Sequence, residues 1–239
     1  EIEPFEVSSS TETIIFFHGG PTVQTTCKWD RVIASFLAEK YRVIAPNPRG
    51  GIGRGANYCG LDDGEKRLTL IENEIGPFVE KTNSEYGVPC IYGGSYGGWI
   101  VLTLATSPVW KKYIKASASR NGLVCMVTFF DGDNKREIKP TAKWRKGHRE
   151  QEYLGDLQGG ERKRLMEKLS PMRAEISILN NTIMIYGELD TRIPSAIVKP
   201  FMERFSITNN CPFKDDGHKI KRYPNRIEMI EDTLKLFRR

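Results

Sequence analysis

The sequence predicts an α/β fold: a mostly parallel central sheet with helices on both faces. Three observations carry this expectation. Short β-branched and aromatic runs, of buried-strand length, recur along the chain. Stretches with apolar residues at helical spacing lie between them. Most of the short runs close on Gly or Pro, where a turn is needed.

ETIIFFHGGP (12–21) reads as the first strand and its turn. WDRVIASFLAEKY (29–41) has apolar residues at 32, 33, 36, 37 and 41 and reads as a helix. YRVIAPNPRG (41–50) is a second strand, and a glycine-rich loop (50–64) follows. LTLIENEIGPFVEKTNSEYG (68–87) reads as a helix interrupted near Gly76-Pro77. PCIYGG (89–94) is a strand running into Ser95, GGWIVLTLAT (97–106) a helix, and IKASAS (114–119) a weaker strand. A basic stretch then breaks the alternation over about 125–170; too sparse in apolar residues for its own core, it reads as a small insertion over one end of the sheet. NTIMIYGELD (181–190) is a strand and loop, SAIVKPFMERF (195–205) a helix, CPF (211–213) a very short strand and NRIEMIEDTLKLF (225–237) the closing amphipathic helix.

The 239 residues suit one domain, 1–239, large enough for a sizeable core. Hydrophobic content of 39% against 28% charged residues excludes a disordered chain. No run approaches the roughly 18 apolar residues of a membrane span, and no membrane role is expected. The opening EIEPFEVSSS is acidic and polar, unlike a signal peptide. Five scattered cysteines without metal-site spacing fit a reduced, cytoplasmic setting. Net charge is +6, of which 135–168 supplies eleven Lys/Arg against six Asp/Glu. That segment reads as a solvated helix face; without aromatic interleaving or a nucleic-acid motif, no nucleic-acid partner is expected.

GGSYGG (93–98) places four glycines around one serine, directly after an apolar run. Glycine is costly in regular structure, so the backbone must need room there. One reading is a glycine turn for close helix–sheet packing. The other is a G-x-S-x-G elbow, where Gly93 and Gly97 let the chain turn sharply from strand into helix and Ser95 protrudes. Asp190 and His218 follow later predicted strands, and the order Ser, Asp, His is that of the α/β-hydrolase fold. A serine hydroxyl needs a base as it attacks, and a histidine base needs a carboxylate to orient it. Only three histidines compete: His18 is read as shaping its turn and His148 as solvated, leaving His218. Asp190 is preferred to Glu188 and to the pair Asp215 and Asp216. Backbone N–H groups of Tyr96 and Gly20, in the loop His18-Gly19-Gly20-Pro21, are the expected oxyanion donors. Trp99, Tyr96, Trp144, Phe129 and Phe130 are candidates for an acyl pocket or for the core. The chemistry needs no cofactor and no metal.

HGGP (18–21), NPRGGIGRG (47–55), YGGSYGGW (92–99), LSPM (169–172), YGELDTRIP (186–194) and GHKIKRYPNRIEMIEDTLKLF (217–237) together resemble the catalytic domain of the prolyl oligopeptidase family, nearest its acylaminoacyl-peptidase and dipeptidyl-peptidase branches. The likeness runs through about 12–237 in the same order. It implies a serine peptidase acting on short peptides, with Ser95, Asp190 and His218 as triad and Gly20 with Tyr96 as oxyanion hole. Members of that family usually carry a β-propeller ahead of this domain; nothing in the sequence matches one, and a homo-oligomer is an alternative way to gate the pocket. Two other readings stand beside it. The same triad serves a carboxylesterase or thioesterase on small acyl esters. A hydrolase fold without catalysis serves as a binding protein.

Overall fold

The computed structural model describes residues 11–131, 153–175 and 178–239. Six strands, all parallel, form one sheet: β1 (Thr13–Phe17), β2 (Arg42–Ile44), β3 (Cys90–Gly94), β4 (Ser117–Arg120), β5 (Thr182–Gly187) and β6 (Asn210–Phe213). Their spatial order is β2-β1-β3-β4-β5-β6. The chain steps outward from β1 to β2, then returns to the other side of β1 as β3. Order therefore reverses at the β1–β3 pair, and the loops leaving these two strands diverge above a crevice, where ligands bind in open α/β sheets.

β1, β3 and β5 are buried on both faces, which their largely apolar runs anticipate. Ile15, Phe17, Ile91, Met184 and Tyr186 point into one core. Ile14, Phe16, Tyr92, Ile183 and Ile185 point into the other. The second face is covered by α1 (Arg31–Ala38), through Ile33 and Phe36, and by the closing helix Tyr223–Phe237, through Met229, Leu234 and Phe237. Phe36 and Phe237 are wholly buried against one another, and truncating such a ring to Ala costs about 3–5 kcal/mol. The first face carries the remaining long helices.

One of these runs from Lys66 to Tyr86 and has an irregular middle. It contains an α segment (Lys66–Leu70), a wide π turn (Ile71–Ile75) and a second α segment (Gly76–Tyr86). The expected break at Gly76-Pro77 thus appears one turn earlier. Pro77 lacks an N–H and its ring crowds the carbonyl four residues back, so the preceding turn widens. Gly76 is needed too: a Cβ there would lie 2.2 Å from the Trp110 ring.

The glycine-rich stretch 50–64 contains two short helical turns, Ala56–Cys59 and Gly60–Asp62. In the basic insertion, 132–152 lie outside the described residues, with Trp144 and His148 among them. Its described helices, Met126–Asp131 and Gly159–Lys168, bury Met126, Phe130, Leu165 and Met166 in the first core and leave their charged residues outward. Its described part packs onto the first core. No helix among the described residues is long and apolar enough to cross a membrane. All five cysteines are unpaired.

Candidate active site

Ser95 directly follows β3 and precedes the helix Tyr96–Ala105, with φ +57° and ψ −113°. For a residue with a Cβ this conformation is strained by about 1–3 kcal/mol. It survives because the neighbours leave no alternative path. A Cβ on Gly97 would sit 2.0 Å from the Phe17 carbonyl oxygen, and one on Gly93 would sit 2.2 Å from the Gly97 carbonyl oxygen. Both obstacles are backbone, so neither yields. The helix can therefore press against β1 and β3 only with glycine at both positions, and the serine is pushed out at the turn. Its N–H is held by the Arg120 carbonyl at 2.8 Å.

His218 meets it there. His218 Nε2 lies 3.0 Å from Ser95 Oγ, and His218 Nδ1 lies 2.8 Å from Asp190 Oδ2. A carboxylate only accepts, so the Nδ1–H donates to it. A neutral ring then has its lone pair on Nε2, facing the hydroxyl. Asp190 is wholly buried and hydrogen-bonded on both oxygens. Its Oδ1 accepts from the Arg192 and Ile193 N–H groups at 2.7 and 3.0 Å, and its Oδ2 also accepts from the Asn121 amide at 2.6 Å. Burial pushes the carboxyl up, but the His218 hydrogen bond and charge, with Asn121 and the Ile193 N–H, outweigh it and hold the acid below its ordinary range. Three strand ends thus deliver three side chains to one rim.

The competing candidates have other partners. Glu188 pairs with Lys199 at 3.2 Å. Asp215 pairs with Arg222 at 2.8 Å on the surface. Asp216 accepts from the Lys221 and Arg222 N–H groups and so shapes the loop carrying His218. Burial holds His18 below its ordinary value, against the raising effect of its 2.7 Å hydrogen bond to the Gly19 carbonyl. That neutral ring braces the turn after β1. The turn packs closely on the elbow: a Cβ on Gly19 would lie 3.1 Å from the Gly94 carbonyl oxygen and 3.5 Å from Ser95 Cβ.

Ser95 and His218 open into a cleft walled by Tyr96, Leu123, Phe129, Tyr153, Arg192 and Ile193. Of the aromatic candidates, Tyr96 and Phe129 reach it. Trp99 is fully buried and donates to the Leu169 carbonyl at 2.7 Å, and Phe130 is also in the core.

Two features escape sequence reasoning. Asn121, at φ +48° just past β4, ties Asp190 to the Gly217 carbonyl. Its signal, an Asn-Gly pair, reads only as a turn. Beneath the elbow, Asp62 and Arg67 are both wholly buried and pair at 3.0 Å. The Tyr96 hydroxyl donates to Asp62 Oδ2 at 2.9 Å. No sequence pattern marks these charges as internal.

Similarity to known proteins bears on the fold and the family. The chain is 26% identical to a probable dipeptidyl-peptidase 5 of Aspergillus terreus, over 97% of this chain and 32% of that protein. It is 25% identical to the dipeptidyl-peptidase 5 of Aspergillus oryzae, with the same coverage of 97% and 32%. The chain thus spans about a third of the length of these curated relatives. Among solved structures, acylaminoacyl peptidase of Pyrococcus horikoshii superposes with a TM-score of 0.78 at 20% identity, over 99% of this chain and 38% of that one. A puromycin hydrolase gives 0.77 at 16% identity, over 95% and 34%. Residues 28–239 match the prolyl oligopeptidase family, and the chain belongs to that family.

Proposed function

We propose that this chain is the catalytic part of a serine peptidase that cleaves short peptides through an acyl-enzyme. The observation that carries the reading is the continuous hydrogen-bonded line from Ser95 Oγ through His218 to buried Asp190. Ser95 Oγ attacks the scissile carbonyl carbon while its proton passes to His218 Nε2. Asp190 stabilises the imidazolium and keeps Nδ1 facing inward. The oxyanion is met by the N–H groups of Tyr96, in the first helical turn, and Gly20, in the loop after β1. His218 returns the proton to the leaving amine, the C–N bond breaks, and Ser95 holds the acyl group as an ester. A water, deprotonated by His218, attacks that ester and frees the acid and the serine. Leu123, Phe129 and Ile193, with the rings of Tyr96 and Tyr153, suit a small apolar acyl portion. The names of the relatives point to the same class: dipeptidyl and acylaminoacyl peptidases.

We take residues 1–239 as one catalytic unit, because both cores share a single sheet; two separate urea transitions would refute this. The substrate class is tested by comparing alanine- and proline-linked dipeptide amides with short-chain nitrophenyl esters. Amide turnover that disappears in Ser95→Ala supports the peptidase. Ester turnover with no amide turnover assigns a carboxylesterase instead.

A further inference from the structure

The Asp62–Arg67 pair has no part in the proton path, yet it lies directly behind the catalytic turn. Asp62 ends the short turn Gly60–Asp62, and Arg67 stands on the following helix Lys66–Leu70. Both side chains are wholly buried. The fold makes specific room for them: a Cβ on Gly50 would lie 2.1 Å from Asp62 Oδ1. Stability alone is a poor reason for such a pair. Desolvating two charges costs about what their attraction returns, and apolar replacements of equal volume are often neutral or better. What an ion pair supplies in addition is direction.

Its partners show where that direction is used. Tyr96 immediately follows Ser95, and its hydroxyl is fixed on Asp62 Oδ2 at 2.9 Å. The Arg67 guanidinium lies 5.1 Å from the Tyr96 ring centroid and 4.1 Å from that of Tyr153. Tyr96 also stacks on Trp99 with centroids 5.2 Å apart. Tyr153 meets the Tyr96 ring edge-on at 6.0 Å. Tyr96 and Tyr153 both wall the cleft at Ser95. A side chain pinned at its far end restricts its own backbone, and here that backbone carries the N–H assigned to the oxyanion.

We propose that Asp62 and Arg67 are positioning residues that aim the Tyr96 N–H at the oxyanion and hold Tyr153 as the cleft wall. This rests on the serine-peptidase reading above. Loosening the pair should lower kcat and spare KM, because an oxyanion donor acts mainly in the transition state. A small misplacement of such a group costs about tenfold to a hundredfold in rate.

The test compares wild type, Asp62→Asn, Tyr96→Phe and the double change Asp62→Leu with Arg67→Leu, each normalised by active-site titration. Nitrophenyl-ester kcat and KM and the thermal midpoint are read together. The expected result is a folded double variant with kcat down about tenfold to a hundredfold and KM within about twofold. Asp62→Asn, which leaves the buried Arg67 charge without its counter-charge, should lower kcat in the same direction with KM within about twofold. An unchanged kcat per titrated site in the double variant would overturn the proposal, whatever its thermal midpoint. Should the double variant not fold, Tyr96→Phe decides by the same split, since it leaves the ion pair in place and removes only its hold on residue 96. A folded wild type that neither titrates nor turns over would instead refute the serine-peptidase reading, and this inference with it.

Discussion

Two helices of this protein begin in opposite ways. The helix Arg31–Ala38 starts after Asp30, whose backbone is extended (φ −117°, ψ 125°) and whose side chain accepts from the N–H groups of Val32 and Ile33. The helix Tyr96–Ala105 starts after Ser95, a residue type that caps helices well, yet this serine caps nothing. Its hydroxyl faces His218 instead. The first helix buries only Ile33 and Phe36 and needs its cap. The second buries nearly every residue, including Trp99 and Val101, so packing stands in for capping. A helix start held by its surroundings can leave its side chain and first amides for a ligand.

Several measurements break or sharpen this contrast. The largest effect belongs to Asp190→Asn. It removes the negative partner of Nδ1 and sets a second amide against Asn121, and kcat should fall by about 10⁴ with the fold retained. A loss below tenfold would mean that His218 is oriented by something else. Gly97→Ala should be next, destabilising the protein by about 3 kcal/mol or more, because the added carbon meets the backbone of Phe17 and His18. An unchanged urea midpoint would show that the elbow has more room than described. Asp30→Ala at the conventional start should cost about 1 kcal/mol and leave the Ser95 chemistry untouched. A change in turnover there would dissolve the distinction between the two starts.

A further effect is alkaline. Burial pushes the thiols of Cys90 and Cys211 up to about 12, with Asp232 and Glu228 adding to the shift at Cys211. Thiols in the unfolded chain ionise near 8.5. Because the folded value is the higher one, this contribution to stability is complete below about pH 8.5 and is lost as pH rises toward 12. Cys211→Ala should therefore flatten the decline of the urea midpoint between about pH 8.5 and 10. An unaltered slope would place the alkaline loss elsewhere.

The fold was legible wherever apolar periodicity was strong, as in TIIFF, and wherever glycines had a mechanical reason, as at 93 and 97. β4, Ser117–Arg120, was faint because a strand buried between neighbours can use small polar residues: Ser117 bonds Thr182 across the sheet at 2.7 Å. The meeting of His218 and Asp190 at Ser95 was legible because only three histidines compete and Asp190 follows a recognisable strand. Asn121 was missed since its role depends on β4 lying between β3 and β5, a matter of spatial order. Asp62 and Arg67 were missed because charged residues are ordinarily exposed, and only the packed structure shows that these two are not.

The most direct test of the account is the labelling rate by a fluorophosphonate probe, with the modified residue mapped by mass spectrometry. Wild type should be modified at Ser95 alone, and His218→Ala should slow that labelling by about a thousandfold or more at equal folded concentration. Labelling at another residue, or an equal rate without the imidazole, would contradict the claim that His218 and Asp190 activate Ser95.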